Sequence, residues 1–136
     1  MADLEIFNPD TIAKPRGSYS HVAQAAGAGK VVAIAGQVAL DPAGNVVGPG
    51  DIEQQAAQVY KNLENALRAA GCNWGNVLQT MTFLTRKEDI AKFAAYRSRE
   101  MPRLFPGGKF PPNTLLVVSA LASDDLVLEI QALAAV

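Results

Sequence analysis

The chain has 136 residues, of which 49% are hydrophobic and 18% are charged, and its formal net charge is −1. This length and this apolar content predict a single domain spanning residues 1–136, and they exclude a disordered chain. The near-zero charge and the absence of a basic cluster argue against a partner that is nucleic acid or an anionic membrane surface.

The numbers of cysteine and histidine residues limit the kinds of site that the chain can form. One cysteine, Cys72, and one histidine, His21, allow neither an internal disulfide nor a metal site built on several such ligands. The N-terminus MADLEIFNPD lacks the basic start and the apolar run of a secretion signal. No apolar run is long enough to span a bilayer. We therefore expect a cytoplasmic protein without a metal.

The first predicted elements are strands. A short strand is predicted at Leu4–Phe7, a second at Tyr19–Ala26, and a third at Lys30–Ala35, where β-branched and apolar residues follow one another. The glycine-marked turn GAGK at residues 27–30 predicts that the second and third strands form a hairpin. A loop rich in Gly and Pro follows at residues 41–50.

Two helices are predicted next, with a strand between them. Apolar residues recur at helical spacing after Asp51, which can cap the first helix, and Gly71 ends it. Val77–Leu84 alternates as a strand does. Thr85 opens the pattern TRKE, a capping box that predicts a second helix running to about Glu100.

The last two predicted strands are Asn113–Leu121 and Leu126–Ala134. The element order predicts an α/β (α+β) domain with one mixed β-sheet and two helices on one face. Both final strands are nevertheless apolar on both faces, as the neighbours Leu115 and Leu116 illustrate. An uncovered apolar face costs about 25 cal/mol for each Å² left in water. We therefore expect an obligate homo-oligomer.

Four polar or small residues are candidates for a site, and each has a structural alternative. Glu129, among apolar residues in LVLEIQALA, could hold or activate a water, or could face solvent from an edge strand. Tyr19 and His21, two apart on a predicted strand, share a face and could orient a polar ligand, or could be ordinary strand residues. Gly36 predicts a bulge, a close approach by a ligand, or a turn.

The stretch FPPNTLLVV at residues 110–118 places Asn113 and Thr114 between two prolines and a strand. Asn113 could complete a turn by bonding nearby backbone. Its amide could also bind a ligand, because it both donates and accepts hydrogen bonds. The chain contains neither a Walker loop nor a G-x-S-x-G motif, so it is predicted to lack both a nucleotide-phosphate loop and a serine-hydrolase elbow.

Six stretches follow one another in a specific order and spacing: GSYSH at 17–21, VVAIAGQVALDPAGNVV at 31–47, DIEQQAAQVYKNLENALRAAG at 51–71, NVLQTMTFLT at 76–85, PPNTLLVVSALA at 111–122 and LVLEIQALA at 126–134. Together they resemble the reactive intermediate deaminase family, also called Rid or YjgF, over nearly the whole chain. The resemblance implies a chorismate-mutase-like fold and a homotrimer whose sheets form a central β-barrel. It also implies ligand clefts between subunits.

Archetypal members of that family hydrolyse small imines and enamines, such as 2-aminoacrylate, to keto acids and ammonia without a metal or organic cofactor. The resemblance implies that Glu129 is catalytic and holds the hydrolytic water, while Tyr19 and Gly36 line the substrate cleft. His21 stands where the family often has glutamine. Ribonuclease action, reported for some relatives, is disfavoured by the lack of a basic cluster.

One motif departs from the archetype. Archetypal members carry P-x-R-[ST], and its arginine clamps the substrate carboxylate. Here Asn113 stands in the arginine position, before Thr114, and we expect these two residues to bind a neutral or weakly anionic substituent of the substrate. Losing a charge-assisted clamp weakens carboxylate binding by about 1.5–3 kcal/mol. The resemblance, with this departure, thus implies an imine/enamine hydrolase with an altered substrate preference. The alternative is a non-catalytic small-metabolite-binding or regulatory trimer of the same fold.

Overall fold

The structure is a computed structural model, and it describes residues 2–136. The elements in chain order are β1 (Asp3–Phe7), β2 (Val22–Ala26), β3 (Val31–Val38), α1 (Ile52–Ala69), β4 (Val77–Leu84), α2 (Asp89–Leu104), β5 (Asn113–Val117) and β6 (Leu128–Ala135). A short 3-10 helix at Trp74–Asn76 leads into β4. No helix within residues 2–136 combines the length and the apolar character needed to cross a membrane.

The large sheet is mixed, as predicted, and has the strand order β3-β6-β4-β5. Strand β6 is antiparallel to both β3 and β4, whereas β5 is parallel to β4. Strand β5 begins at Asn113 as predicted but ends at Val117, and β6 begins at Leu128, two residues later than predicted. This order puts β6 in the middle of the sheet and β5 at its edge.

The predicted hairpin between the second and third strands is wrong. Strand β2 pairs with β1 in a separate two-stranded antiparallel sheet, and β3 pairs with β6 instead. The backbone N–H groups of Gly29 and Lys30 both donate to the carbonyl of Val136, at 2.9 and 3.1 Å. The turn therefore carries the chain from one sheet to the other, because the apolar β6 needs a partner on each side.

Helix α1 begins and ends as the cap signals predict. The carboxylate of Asp51 accepts hydrogen bonds from the backbone N–H groups of Glu53 and Gln54, both at 3.0 Å. After the last turn Gly71 has φ +75°, a left-handed conformation that favours glycine. The buried face of the helix contacts β3 and β6.

Helix α2 begins and ends later than predicted. Thr85 does not cap it, because the TRKE segment forms a lead-in turn in which the N–H of Asp89 donates to the carbonyl of Arg86 at 3.1 Å. The helix then runs through Pro102 to Leu104. Buried residues hold this last turn on the core, which outweighs the tendency of Pro102 to end a helix.

The core lies between the two helices and one face of the large sheet. That face carries Ile34, Thr80, Thr82, Leu84, Leu128, Ile130, Ala132 and Ala134, all buried. In one chain residues 2–136 leave the opposite face uncovered, and Leu116 of β5, which lies on that face, is 38% exposed. The predicted alternation of apolar residues on both faces of this strand is confirmed only for Leu115–Val117, because β5 ends at Val117, and the two helices cover one side of the sheet.

Candidate active site

A cavity of about 510 Å³ opens beside the start of β5. Three of the predicted substrate-binding residues, Tyr19, Asn113 and Thr114, line it together. A larger cavity, of about 660 Å³, lies between β1, Trp74 and residues 103–109, and it contains none of the predicted site residues. We place the candidate site at the smaller cavity, because polar side chains converge there.

Asn113 begins β5 and bonds across to β4 instead of closing a turn. Its Oδ1 accepts hydrogen bonds from the hydroxyls of Thr80 and Thr82, each at 2.8 Å. Both threonines are buried. The two hydroxyls fix the orientation of the amide, since Oδ1 is the group that accepts. Its Nδ2 donates to no residue in the described range 2–136, so two N–H bonds remain for a ligand.

Glu129 lies in the middle of the large sheet, packed against Gly36 of β3. Strand β3 changes register between Ile34 and Gln37, so the bulge interpretation of Gly36 is confirmed. A β-carbon on residue 36 would lie 2.7 Å from Cδ and 2.8 Å from Oε1 of Glu129. The edge-strand alternative for Glu129 is wrong, because β6 has neighbours on both sides. Glycine at position 36 therefore makes room for the carboxylate.

Within one chain Asn113 and Glu129 lie on opposite faces of the sheet. Asn113 of β5 is paired with Thr80 of β4. Thr82 lies two residues farther along β4, on the same face, and is paired with Ile130 of β6. These residues all point toward the helices, as the burial of Ile130 shows. Glu129 is the next residue along β6 and points to the uncovered face. A single chain therefore does not bring the amide and the carboxylate together on one face.

Tyr19 and His21 lie before β2, so the prediction that they share a strand face is wrong. Their rings meet edge to face, with 5.8 Å between centroids. The His21 Nε2 lies 2.6 Å from the carbonyl oxygen of Ala13, and it must carry a proton to donate there. The His21 backbone N–H donates to Asn8. His21 thus ties the N-terminal loop together and lies outside the cavity of Asn113, whereas Tyr19 lines that cavity.

Comparison with known proteins places the chain in a family. The sequence profile Ribonuc_L-PSP, described as endoribonuclease L-PSP, matches residues 11–136. A RutC family protein from Pyrococcus horikoshii is 34% identical over 130 residues, which is 96% of each chain. The chain belongs to the endoribonuclease L-PSP, or Rid/YjgF, family.

Other Rid relatives include an enzyme and solved structures. The mouse 2-iminobutanoate/2-iminopropanoate deaminase is 34% identical over 118 residues, covering 87% of this chain and 81% of the mouse protein. A Rid family protein of unknown function from Yersinia pestis, YyfB, superposes with a TM-score of 0.86 at 30% identity over 98% of both chains. The E. coli TdcF structure with bound serine superposes with a TM-score of 0.69 at 26% identity, covering 79% of this chain and 81% of TdcF.

The cavity beside the start of β5 contains a residue that sequence reasoning missed. Arg97 of α2 lines the cavity, and its Nη2 donates to the carbonyl of Ser18 at 2.6 Å. Periodicity places Arg97 on a polar helix together with Arg99 and Arg103. Only packing decides which of these arginines turns inward, so no sequence signal distinguishes Arg97. Among the described residues, no group of three or more His, Cys, Asp or Glu side chains is placed to hold a metal.

Proposed function

We propose that this Rid family member hydrolyses the C=N bond of small imines, or of enamines through their imine form. The family includes 2-iminobutanoate/2-iminopropanoate deaminases in mouse and human, the latter 30% identical over 122 residues. The observation that carries the proposal is the placement of the Glu129 carboxylate against Gly36, beside an uncovered sheet face.

In the proposed reaction Glu129 orients a water and accepts its proton as the oxygen attacks the carbon of the C=N bond. This step forms a C–O bond and moves an electron pair onto nitrogen. The protonated carboxyl then returns the proton to that nitrogen. Glu129 then accepts the hydroxyl proton of the resulting carbinolamine and passes it to the amine nitrogen, so that a C=O bond forms as the C–N bond breaks. One imine and one water thus give one carbonyl product and one ammonia.

The proposed site is completed by neighbouring chains of a homotrimer. In one chain Glu129 and the side chain of Asn113, which lines the cavity, lie on opposite faces of the sheet. In the proposed trimer the uncovered faces form a central β-barrel, which removes the exposed apolar residues from water. Glu129 and Gly36 of one chain then meet the Asn113 cavity of the next in an inter-subunit cleft.

The proposed substrate preference differs from that of archetypal members because Asn113 carries no charge. Its free N–H bonds suit a carbonyl or carboxylate oxygen, without the two-pronged ion pair of an arginine. A small reactive metabolite made and consumed in the cytoplasm suits such a cleft.

The test is turnover of freshly generated 2-aminoacrylate and a panel of other small imines, with ammonia and the carbonyl product both measured. We expect wild-type protein to accelerate hydrolysis and Glu129→Gln to lose that acceleration. Glu88→Gln is the matched control, because Glu88 is an exposed carboxylate whose side chain makes no capping bond. Equal rates for Glu129→Gln and wild type on every substrate would refute the role of Glu129. Binding of a metabolite without turnover would instead support the non-catalytic trimer.

A further inference from the structure

Arg97 is a half-buried cation that has no counter-ion among residues 2–136. The ion pairs formed among residues 2–136 do not include it. On the same helix Arg99 pairs with Glu53, and Arg103 pairs with Glu100. A charge withdrawn from water is destabilising unless it is paired, so an anion would be favoured next to Arg97.

The guanidinium of Arg97 is held in one orientation. Its Nη2 donates to the carbonyl of Ser18 at 2.6 Å, and its Cζ lies 5.9 Å from the ring centroid of the buried Phe93. Its Nε is buried and bonds no described residue. A guanidinium has five N–H donors; one bonds the carbonyl of Ser18, another bonds the side chain of Tyr60, and others remain for a ligand. A pre-oriented cation with donors to spare binds an anion with little loss of side-chain entropy.

The cavity that Arg97 lines is rich in donors and has a positive charge. Asn113 offers its Nδ2, and the exposed Arg16 adds a second cation. The residues that line the cavity, all within the described range, include no Asp or Glu. Its volume of about 510 Å³ suits a small molecule. A planar guanidinium matches the two oxygens of a carboxylate, which favours that group as the anion.

We propose that Arg97 anchors the carboxylate of a small ligand in this cavity, with the Asn113 amide donating to the same group or to a neighbouring oxygen. The substrates of the proposed hydrolysis then still include 2-imino acids, with the carboxylate held from α2 instead of from position 113. This inference rests on the proposed function for its chemistry, but the binding of a carboxylate is measurable without turnover.

The test is calorimetric titration with pyruvate, the product expected from 2-iminopropanoate, and with its neutral amide. Wild type is expected to bind pyruvate at least about tenfold more tightly than the amide. Arg97→Met is expected to weaken pyruvate binding about ten- to a hundredfold and to leave amide binding unchanged. Arg99→Met is the matched control, since it removes a charge from the same helix but outside the cavity, and it should bind pyruvate as wild type does.

Several outcomes would overturn the anchor. Failure of wild type to prefer pyruvate over its amide is one. Arg97→Met could instead lose affinity for pyruvate and for its amide to the same extent. That result would also overturn the anchor, because it would mean that Arg97 only tethers the loop through Ser18. Tighter binding of inorganic phosphate than of pyruvate, with the same dependence on Arg97, would assign the cavity to a phosphate instead.

A measurement on wild type covers the case in which Arg97→Met does not fold. Phenylglyoxal modifies arginines, and peptide mapping reports each one separately. Pyruvate at a saturating concentration should slow labelling of Arg97 at least about fivefold relative to Arg99, whereas its amide should not. Unchanged labelling at saturating pyruvate would overturn the anchor. Pyruvate binding through Arg97 with no imine turnover would leave the anchor standing and refute the proposed function alone.

Discussion

The carboxylate of Glu129 occupies the space that a side chain at Gly36 would need. A β-carbon there would lie 2.7 Å from Cδ of Glu129, closer than real β-carbons approach a neighbouring atom. The two residues belong to adjacent strands, β3 and β6, and the bulge in β3 lies at Gly36. The position of the carboxylate thus depends on the absence of one methyl group.

We predict that Gly36→Ala displaces the Glu129 carboxylate and lowers imine hydrolysis at least about tenfold. Stability should fall by about 1–3 kcal/mol, the usual effect of overpacking. The measurements are steady-state kinetics and urea unfolding. Gly107→Ala is the control, because a β-carbon there would contact nothing within 4 Å. Unchanged kinetics in Gly36→Ala would show that the observed position of Glu129 is not needed.

We predict that Asn113→Leu lowers the free energy of unfolding by about 1–3 kcal/mol, because Thr80 and Thr82 lose the acceptor for their hydroxyls. In a background with both threonines replaced by valine, the same change should cost much less, because no donor is then left unpaired. Urea unfolding of the four proteins measures this coupling. Thr114→Ala, at an exposed neighbour, should stay within about 0.5 kcal/mol of wild type. Additive effects would argue against the hydrogen bonds.

We predict that Tyr60 makes the protein less stable above pH 10. Burial raises the pKa of Tyr60 from 10.0 to about 12, although the nearby charge of Arg97 opposes the shift. Below pH 10 the phenol is neutral in both states. Between pH 10 and 12 it ionises only when unfolded, so the stability it contributes is lost as the pH rises.

The loss amounts to about 2–3 kcal/mol. Unfolding of wild type and Tyr60→Phe should be followed across pH 9 to 12. Titration of the lysines is common to both proteins, so the difference between them isolates Tyr60. Parallel losses of stability would contradict a buried neutral phenol.

We predict that Leu133→Glu prevents assembly of the proposed trimer. Leu133 alternates with the buried Ala132 and Ala134 and points to the uncovered face of the sheet. Three carboxylates brought into one interface would repel each other and lose hydration. Sedimentation velocity should report trimers for wild type and smaller species for the variant. Ala91→Glu, on the exposed surface of α2, should sediment as wild type. A wild-type protein that stays monomeric, folded and stable on dilution would contradict the trimer itself.

Most helices and strands of this chain were predictable from local chemistry. Asp51 and Gly71 mark the two ends of α1, because a cap acts through backbone groups only a few residues away. The alternation in β6 likewise places Glu129 opposite the buried Leu128 and Ile130. These features depend on period and on bonds of short range, which the order of residues along the chain already contains.

The pairing of the strands and the packing of the elements depend on contacts between residues far apart in the chain. Local sequence patterns do not show which of these contacts is the most stable. Strand β3 pairs with the central β6, so β2 pairs with β1 instead of forming the predicted hairpin with β3. The Gln55 amide, fully buried, bonds the carbonyls of Gly48 and Asp125 and the N–H of Val127, a link across about seventy residues that no local pattern predicts.

The candidate site also combines features that local sequence predicts with features that only long-range packing decides. Gly36, Asn113 and Glu129 could be named as candidates from their positions in strands and motifs. The placement of Asn113 and Glu129 on opposite faces, and the inward turn of Arg97, could not, because each depends on how separate elements pack. Burial against distant elements, rather than residue type, distinguishes the cation in the cavity from Arg99 two positions away.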